Sequence, residues 1–291
     1  MAGSQAFFEG VLQQATDKTH AVVSFEHLSG GCIDQVVKLE TKKGRFLLKW
    51  KDRTSDQFEA ESIGLTLLHK AHCLRVPELI AQSIYQGCSY LLMEYVAPGS
   101  KKTGFWEEFG TKLAQQHRHL ADNSHYGLDH DNYIGNLRQY NAPNADWIAF
   151  FIEQRLEKQL ALASENGWAS KDLIDRFQIL YPQLPELLSM EPPSLLHGDL
   201  WSGNFIVDDA GSAVLIDPAV YYGNREIEIA FTQMFGGFEP PFYQSYQESW
   251  PLAPGFQERA AIYNLYPLLV HVNLFGSSYL SGIDRVLRRY T

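Results

Sequence analysis

His197-Gly198-Asp199-Leu200-Trp201-Ser202-Gly203-Asn204 is followed by the apolar run Phe205-Ile206-Val207, the turn Asp208-Asp209-Ala210-Gly211, a second run Ala213-Val214-Leu215-Ile216, and then Asp217-Pro218. Two short β-type runs around a Gly-containing turn read as a strand–turn–strand unit. Polar residues gather where its strands end, with Asn204 at one open end and Asp217 at the other. The flanking sequence is of a different kind. Phe105 to Leu120, Asp146 to Ser164 and Lys171 to Leu188 carry apolar residues at three- and four-residue spacing, and helical patterns resume at about Glu226. The β unit is therefore an island in a mainly helical part.

Before Pro98-Gly99 the pattern is different again. Val22-Val23-Ser24-Phe25 and the pair Ile33 to Glu40 and Phe46 to Trp50, joined at Thr41-Lys42-Lys43-Gly44, read as strands. Phe46, Leu48 and Trp50 share one face and leave Leu47 and Lys49 on the other. Asp56 to His69 reads as a helix with Phe58, Leu65 and Leu68 on one stripe, and Tyr90 to Val96 reads as a mostly apolar strand. The expected architecture is α+β in two lobes, a small β-rich N-lobe over residues 1–97 and a larger, mainly helical C-lobe over 98–291.

Phosphoryl transfer to a hydroxyl needs an Asp to accept the nucleophile's proton, and an Asn and a second Asp to hold Mg²⁺ on the nucleotide phosphates. Asp199, Asn204 and Asp217 have the residue types and order of that set, in the pattern H-x-D-L-x-x-x-N with a later metal-binding Asp. Such a site also needs a fixed cation on the phosphates. Lys49 is the candidate, because Glu61 falls on the apolar stripe three residues after Phe58 and four before Leu65, where a carboxylate is costly without a partner. Ser29-Gly30-Gly31-Cys32-Ile33 lies one hairpin before Lys49, and its adjacent glycines let backbone N–H groups approach phosphate oxygens. Met93-Glu94-Tyr95-Val96 ends a strand at the lobe boundary, where its backbone could meet an adenine edge.

Composition narrows the classes of function. The chain has 291 residues, is 45% hydrophobic and carries a formal net charge of −10, so it is globular and repels nucleic acid and anionic lipid. No segment approaches the ~18 apolar residues of a membrane span. Cys32, Cys73 and Cys88 form no Cys-x-x-Cys pair and are odd in number, which fits a reducing, cytoplasmic setting better than a disulfide or zinc framework. The charge is unevenly spread. Residues 191–240 carry eight carboxylates against Arg225 alone, whereas residues 1–51 carry seven Lys or Arg against five Asp or Glu. Mg²⁺ and a cationic substrate would be drawn to the acidic segment.

Together these residues resemble the protein-kinase-like fold, and Met93-Glu94-Tyr95-Val96 resembles a kinase hinge. Gly198 stands where regulated protein kinases carry Arg, and Asp217-Pro218-Ala219 where they carry Asp-Phe-Gly, so His197-Gly198-Asp199 is more similar to the aminoglycoside and choline phosphotransferases. The segments Gly30-Gly31-Cys32-Ile33, Tyr126-Gly127 with Asn132-Tyr133-Ile134-Gly135, Leu196 to Asn204, and Asp217-Pro218-Ala219-Val220-Tyr221-Tyr222-Gly223 resemble the fructosamine kinase (ketosamine 3-kinase) family. So do Trp147, Phe150-Phe151, Gln154-Arg155 and His271 to Gly276. The match spans nearly the whole chain.

The resemblance implies ATP-dependent phosphorylation of a sugar hydroxyl on a ketoamine, at O3, in the repair of glycated amines. It gives Lys49 and Glu61 to the phosphates, Gly30, Gly31 and Cys32 to the nucleotide lid, and the backbone at Met93, Glu94 and Val96 to adenine. Asp199 is then the base, and Asn204 and Asp217 hold Mg²⁺. Asn224 departs from the His or Asp that family members often carry. Trp201 offers a flat face to the sugar or its amine carrier, or is a core tryptophan. Cys32, beside phosphate-binding amides, is a candidate redox switch, and the chain is a monomer or a redox-linked homodimer. Rival readings are a kinase for an aminoglycoside- or choline-like alcohol, and a nucleotide-binding pseudokinase, against which the intact set of five polar residues argues.

Overall fold

The computed structural model describes residues 2–28 and 35–291. Among these, the proposed lid residues Gly30, Gly31 and Cys32 are not included. The chain forms two compact units, one made of the residues up to Thr103 with Ile206–Asp217, the other of Gly104–Phe205 with Pro218–Thr291.

In the first unit the elements run α1 (Gln5–Thr16), β1 (Val22–His27), β2 (Gln35–Thr41), β3 (Gly44–Lys51), α2 (Gln57–Ala71), β4 (Leu79–Tyr85) and β5 (Cys88–Glu94). The five strands make one antiparallel sheet in the order β1-β2-β3-β5-β4. Helix α1 was not anticipated. Ser4 caps it, its Oγ accepting the Phe7 N–H at 3.2 Å, and Phe7, Phe8, Val11 and Leu12 pack on Val37, Leu39, Leu48 and Trp50 in one core cluster. That cluster uses the Phe46, Leu48, Trp50 face of β3, so Lys49 is left on the opposite face. There α2 buries Phe58, Leu65 and Leu68, the stripe expected from the sequence.

The second unit contains α3 (Phe105–His117), β6 (Asn132–Ile134), β7 (Leu137–Gln139), α4 (Trp147–Phe150), a π-helical turn Phe151–Leu156, α5 (Glu157–Glu165), α6 (Lys171–Leu180), α7 (Leu184–Leu187) and β8 (Ser194–Leu196). Strands β9 (Phe205–Val207) and β10 (Ala213–Leu215) form the expected hairpin, and β11 (Tyr221–Gly223) follows. The chain ends with α8 (Arg225–Met234), α9 (Pro240–Ser249), α10 (Phe256–Tyr263), α11 (Leu265–Phe275) and α12 (Leu280–Leu287). Strand β8 pairs antiparallel with β11 and not with β9, so these two strands form a ribbon separate from the β9–β10 hairpin. Among the described residues no helix is long and apolar enough to cross a membrane.

The division differs from the expected boundary at 97/98. Hairpin residues Ile206–Asp217 group with the sheet-bearing unit, because specific contacts tie them there. Gly99 N–H donates to Val207 O at 2.8 Å and Leu215 N–H to Arg75 O at 2.8 Å. Arg75 Nη1 donates to the Asp208 carboxylate at 2.8 Å.

Helices α3 and α9 of the second unit approach closely at Gly110, where a Cβ would stand 2.1 Å from the Phe242 carbonyl oxygen. Backbone cannot yield as a side chain can. Gly110→Ala is expected to cost about 1–3 kcal/mol of stability, read as an earlier midpoint in urea with an unchanged slope; a midpoint equal to wild type would contradict this packing.

Candidate active site

In the second unit, β8 delivers His197 into a tight turn. Gly198 has φ +84°, and a Cβ there would sit 1.9 Å from the Ala219 carbonyl oxygen, so only glycine fits. The next peptide is pinned as well, with Ala219 N–H donating to His197 O at 2.9 Å. Asp199 follows. The Asn204 amide donates to the Asp199 carboxylate and to the Asp199 carbonyl, each at 2.8 Å. The five-residue spacing thus closes a loop on itself, with the carboxylate held from one side. Trp201, between them, is 38% exposed, so it is not a core tryptophan. Gly203 leaves room for its indole, since a Cβ there would come within 2.3 Å of the ring.

Three supports of this loop were not read from the sequence. Glu228 on α8 is buried and accepts the N–H groups of Gly198 at 2.7 Å and His197 at 3.2 Å. His117 on α3 bonds the same carboxylate at 2.8 Å, and its other ring nitrogen meets Tyr246 Oη at 2.8 Å. On the far side of the turn, Asn132 and Gln139 donate to the carbonyls of Val220 and Ala219 at 2.7 and 2.9 Å. The only local signal for Glu228 was its place between Ile227 and Ile229, next to the apolar run Ile229-Ala230-Phe231 of α8.

Burial alone would raise the Glu228 pKa. The His117 hydrogen bond and charge, His197, and the Gly198 N–H outweigh it and hold the carboxyl below its usual 4.5. A carboxylate with a depressed folded-state pKa stabilises fully above its unfolded value and loses that stabilisation as pH falls through the folded one. Glu228→Gln is therefore expected to cost about 1–3 kcal/mol at neutral pH. Its stability should also fall less steeply than that of wild type below pH 4.5. Parallel acid limbs in denaturant titrations of the two proteins would contradict this.

In the first unit, Lys49 Nζ lies 2.8 Å from Glu61 Oε1 and also pairs with the Asp217 carboxylate. Lys49 is 7% exposed. Burial lowers its pKa, but Asp217 and Glu61 more than compensate and keep the ammonium charged well above its usual range. The structure thus gathers three of the expected residues, with Asp217 at the end of β10 in a left-handed conformation, φ +54°. At the end of β5, Met93 and Val96 are buried. The Glu94 N–H donates to Glu78 O at 2.9 Å, and its carboxylate accepts from Arg75 and the Glu78 N–H. Arg75 therefore bridges Glu94 and Asp208, a link between the β5 end and the Asp217 hairpin that the sequence did not disclose. Gly30, Gly31 and Cys32, and with them the proposed lid and redox switch, lie outside the described residues.

The family model for fructosamine kinase matches residues 5–291. The chain belongs to the fructosamine kinase family. Among curated relatives, it is 40% identical over 267 residues to a "Probable ketoamine kinase" of Lactiplantibacillus plantarum, covering 90% of this chain and 92% of that one. It is 36% identical over 277 residues to a chloroplastic "Protein-ribulosamine 3-kinase" of Oryza sativa subsp. indica, covering 94% and 80%. A crystal structure of a protein assigned as a fructosamine-3-kinase from Haemophilus somnus 129PT superposes with a TM-score of 0.87 at 32% identity, covering 97% and 96%. The mixed helix-and-sheet fold, sheet-rich first and helical later, is thus that of a kinase-like phosphotransferase. Asn224 is the N-cap of α8. Its side chain accepts the Glu226 N–H at 3.0 Å and donates to Ser189 O at 2.8 Å; it supports the helix that carries Glu228.

Proposed function

We propose that this fructosamine kinase family member uses ATP and Mg²⁺ to phosphorylate O3 of the sugar of a ketoamine, such as a ribulosamine, erythrulosamine or fructosamine. The observation that carries this is the Asp199 carboxylate held by the Asn204 amide in a loop pinned from both sides. In the proposed reaction Asp199 accepts the proton of the sugar hydroxyl as it attacks the γ-phosphate. Lys49, kept charged by two carboxylates, holds phosphate oxygens. With the Glu94 N–H engaged by Glu78, an adenine edge would take the Glu94 carbonyl and the Val96 N–H.

Asn204 and Asp217 fit a magnesium ion by donor type. Each offers a hard oxygen, the Asn204 amide spends its N–H on Asp199, and Mg²⁺ takes one or two protein oxygens while keeping water and phosphate as its other ligands. When bound, the metal would neutralise charge building on the phosphates. The acidic segment 191–240 favours both that cation and the ammonium of a ketoamine.

Phosphorylation at O3 gives the deglycation role a chemical basis. Enolisation of the C2 carbonyl towards C1 makes the C3–O bond allylic, and phosphate leaves from there more readily than hydroxide; the nitrogen lone pair pushes it out and leaves an imine at C1, which water hydrolyses to the free amine and a 3-deoxy dicarbonyl sugar. A reducing, cytoplasmic compartment suits a chain whose three cysteines form no Cys-x-x-Cys pair. Phosphorus–proton correlation NMR of the product made from a ribulosamine tests the position. The reading expects coupling of phosphorus to H3, followed by slow release of free amine and inorganic phosphate; coupling to another carbinol proton would overturn the O3 assignment.

A further inference from the structure

Arg155 is fully buried on the π-helical turn Phe151–Leu156 of the second unit. Its guanidinium carbon lies 4.0 Å from the ring centroid of Tyr221, 4.7 Å from that of Phe150 and 5.4 Å from that of Tyr266. Nη1 donates to the Tyr140 and Gln154 carbonyl oxygens, and Nη2 donates to Asn141 Oδ1 at 2.8 Å. These partners are ring faces and neutral oxygens, and none is a carboxylate. A charge buried without a counter-ion is costly, and packing alone does not require one here.

A guanidinium can only donate, and that fixes the direction of the bonds beyond it. Because Asn141 Oδ1 accepts from Arg155, the Asn141 amide turns its N–H groups to Asn132 Oδ1 at 3.0 Å and to His130 O at 3.2 Å. Asn132 then aims its own amide at Val220 O, 2.7 Å away. From the other end Tyr266, which burial keeps protonated against the pull of Arg155, donates its hydroxyl to Gln139 Oε1 at 2.8 Å. The Gln139 amide is thereby directed at Asn132 Oδ1 and Ala219 O, at 2.8 and 2.9 Å. All three amides are buried, where one reversed amide would set donor against donor. The chain ends on Ala219, whose N–H holds His197 O and whose carbonyl oxygen closes on Gly198. We infer that Arg155 is a positioning residue for phosphoryl transfer: as the donor-only end of this amide chain it orients the Ala219 and Val220 carbonyls, and through Ala219 the turn that presents Asp199, without touching substrate. This rests on the ketoamine kinase reading and adds to it a residue that the reaction requires.

Arg155→Lys and Arg155→Gln separate bond direction from packing. Lysine keeps a cation that only donates, whereas glutamine is neutral and free to turn its oxygen towards Asn141. A structural role alone favours the neutral side chain at a fully buried position. The positioning role predicts the reverse: kcat within about tenfold of wild type for Arg155→Lys and roughly 10²-fold lower for Arg155→Gln, with KM for ATP and for the ketoamine within about twofold in both. Amide hydrogen exchange over residues 196–200 and 219–222 should be roughly tenfold faster in Arg155→Gln than in wild type, and close to wild type in Arg155→Lys. A glutamine variant as active as the lysine one, a KM shift with kcat unchanged, or wild-type exchange at both segments of Arg155→Gln would overturn the inference and leave the activity standing. Failure of either variant to fold, read by circular dichroism, would assign Arg155 to stability and overturn it as well. If wild type phosphorylates no ketoamine, the activity reading falls, and the exchange comparison by itself still supports or refutes the hold of Arg155 on the turn.

Discussion

Asp199→Asn is expected to lower kcat by roughly 10²–10⁴, the usual worth of a general base, with nucleotide affinity within about twofold of wild type. The substitution suits the geometry. Asparagine keeps the size of the side chain, and its carbonyl oxygen can still accept the Asn204 amide that now reaches Asp199 Oδ2 at 2.8 Å. The Glu228 carboxylate accepts from the backbone N–H groups of His197 and Gly198, so the loop should hold its shape. What disappears is the capacity to take a proton. Steady-state ADP release with nucleotide binding followed by calorimetry separates the two effects. A kcat near wild type would remove Asp199 from the base role, and a large loss of nucleotide affinity would show that its part is structural.

Lys49→Met is expected to lower kcat/KM for ATP by roughly 10²–10³, comparable to removing one preorganised charge-stabilising donor. It should also cost about 1–3 kcal/mol of stability by removing the ion pair that Lys49 makes with the Glu61 carboxylate, 15% exposed. Methionine fills the volume, which makes the change one of charge. The two losses have different remedies. Adding Glu61→Gln to Lys49→Met removes the carboxylate charge that has lost its Lys49 ion pair and should recover part of the stability with none of the activity. A double variant as unstable as the single one would mean that the Glu61 charge is not the source of the lost stability, and recovered activity would mean that Lys49 does not act on the nucleotide.

Much of this site could be read from the sequence because its residues sit at the ends of locally recognisable elements. The alternation in β3 put Lys49 opposite the face of Phe46, Leu48 and Trp50. The helical stripe of α2 put Glu61 among apolar neighbours, and the structure pairs the two. The Asp199–Asn204 spacing and the β9–β10 hairpin were equally local. What escaped depends on partners distant in the chain. His117 and Glu228 are 111 residues apart and Arg75 and Asp208 are 133 apart, and no periodicity encodes such pairs. Three-residue strands are too short to show which neighbour they choose, so the β8–β11 ribbon and the grouping of Ile206–Asp217 with the first unit were missed. Phe7, Phe8, Val11 and Leu12 of α1 have helical spacing, but the partners that bury this face, Val37, Leu39, Leu48 and Trp50, lie further along the chain, so the short stretch alone does not declare its packing.

The most direct test of the central claim is an ADP-release screen of the purified chain with ATP and Mg²⁺ across ketoamines of different sugar length, with aminoglycosides and choline as controls. The account predicts Asp199-dependent turnover on one or more ketoamines and none above background on the controls. Turnover on an aminoglycoside or choline with none on any ketoamine would contradict it.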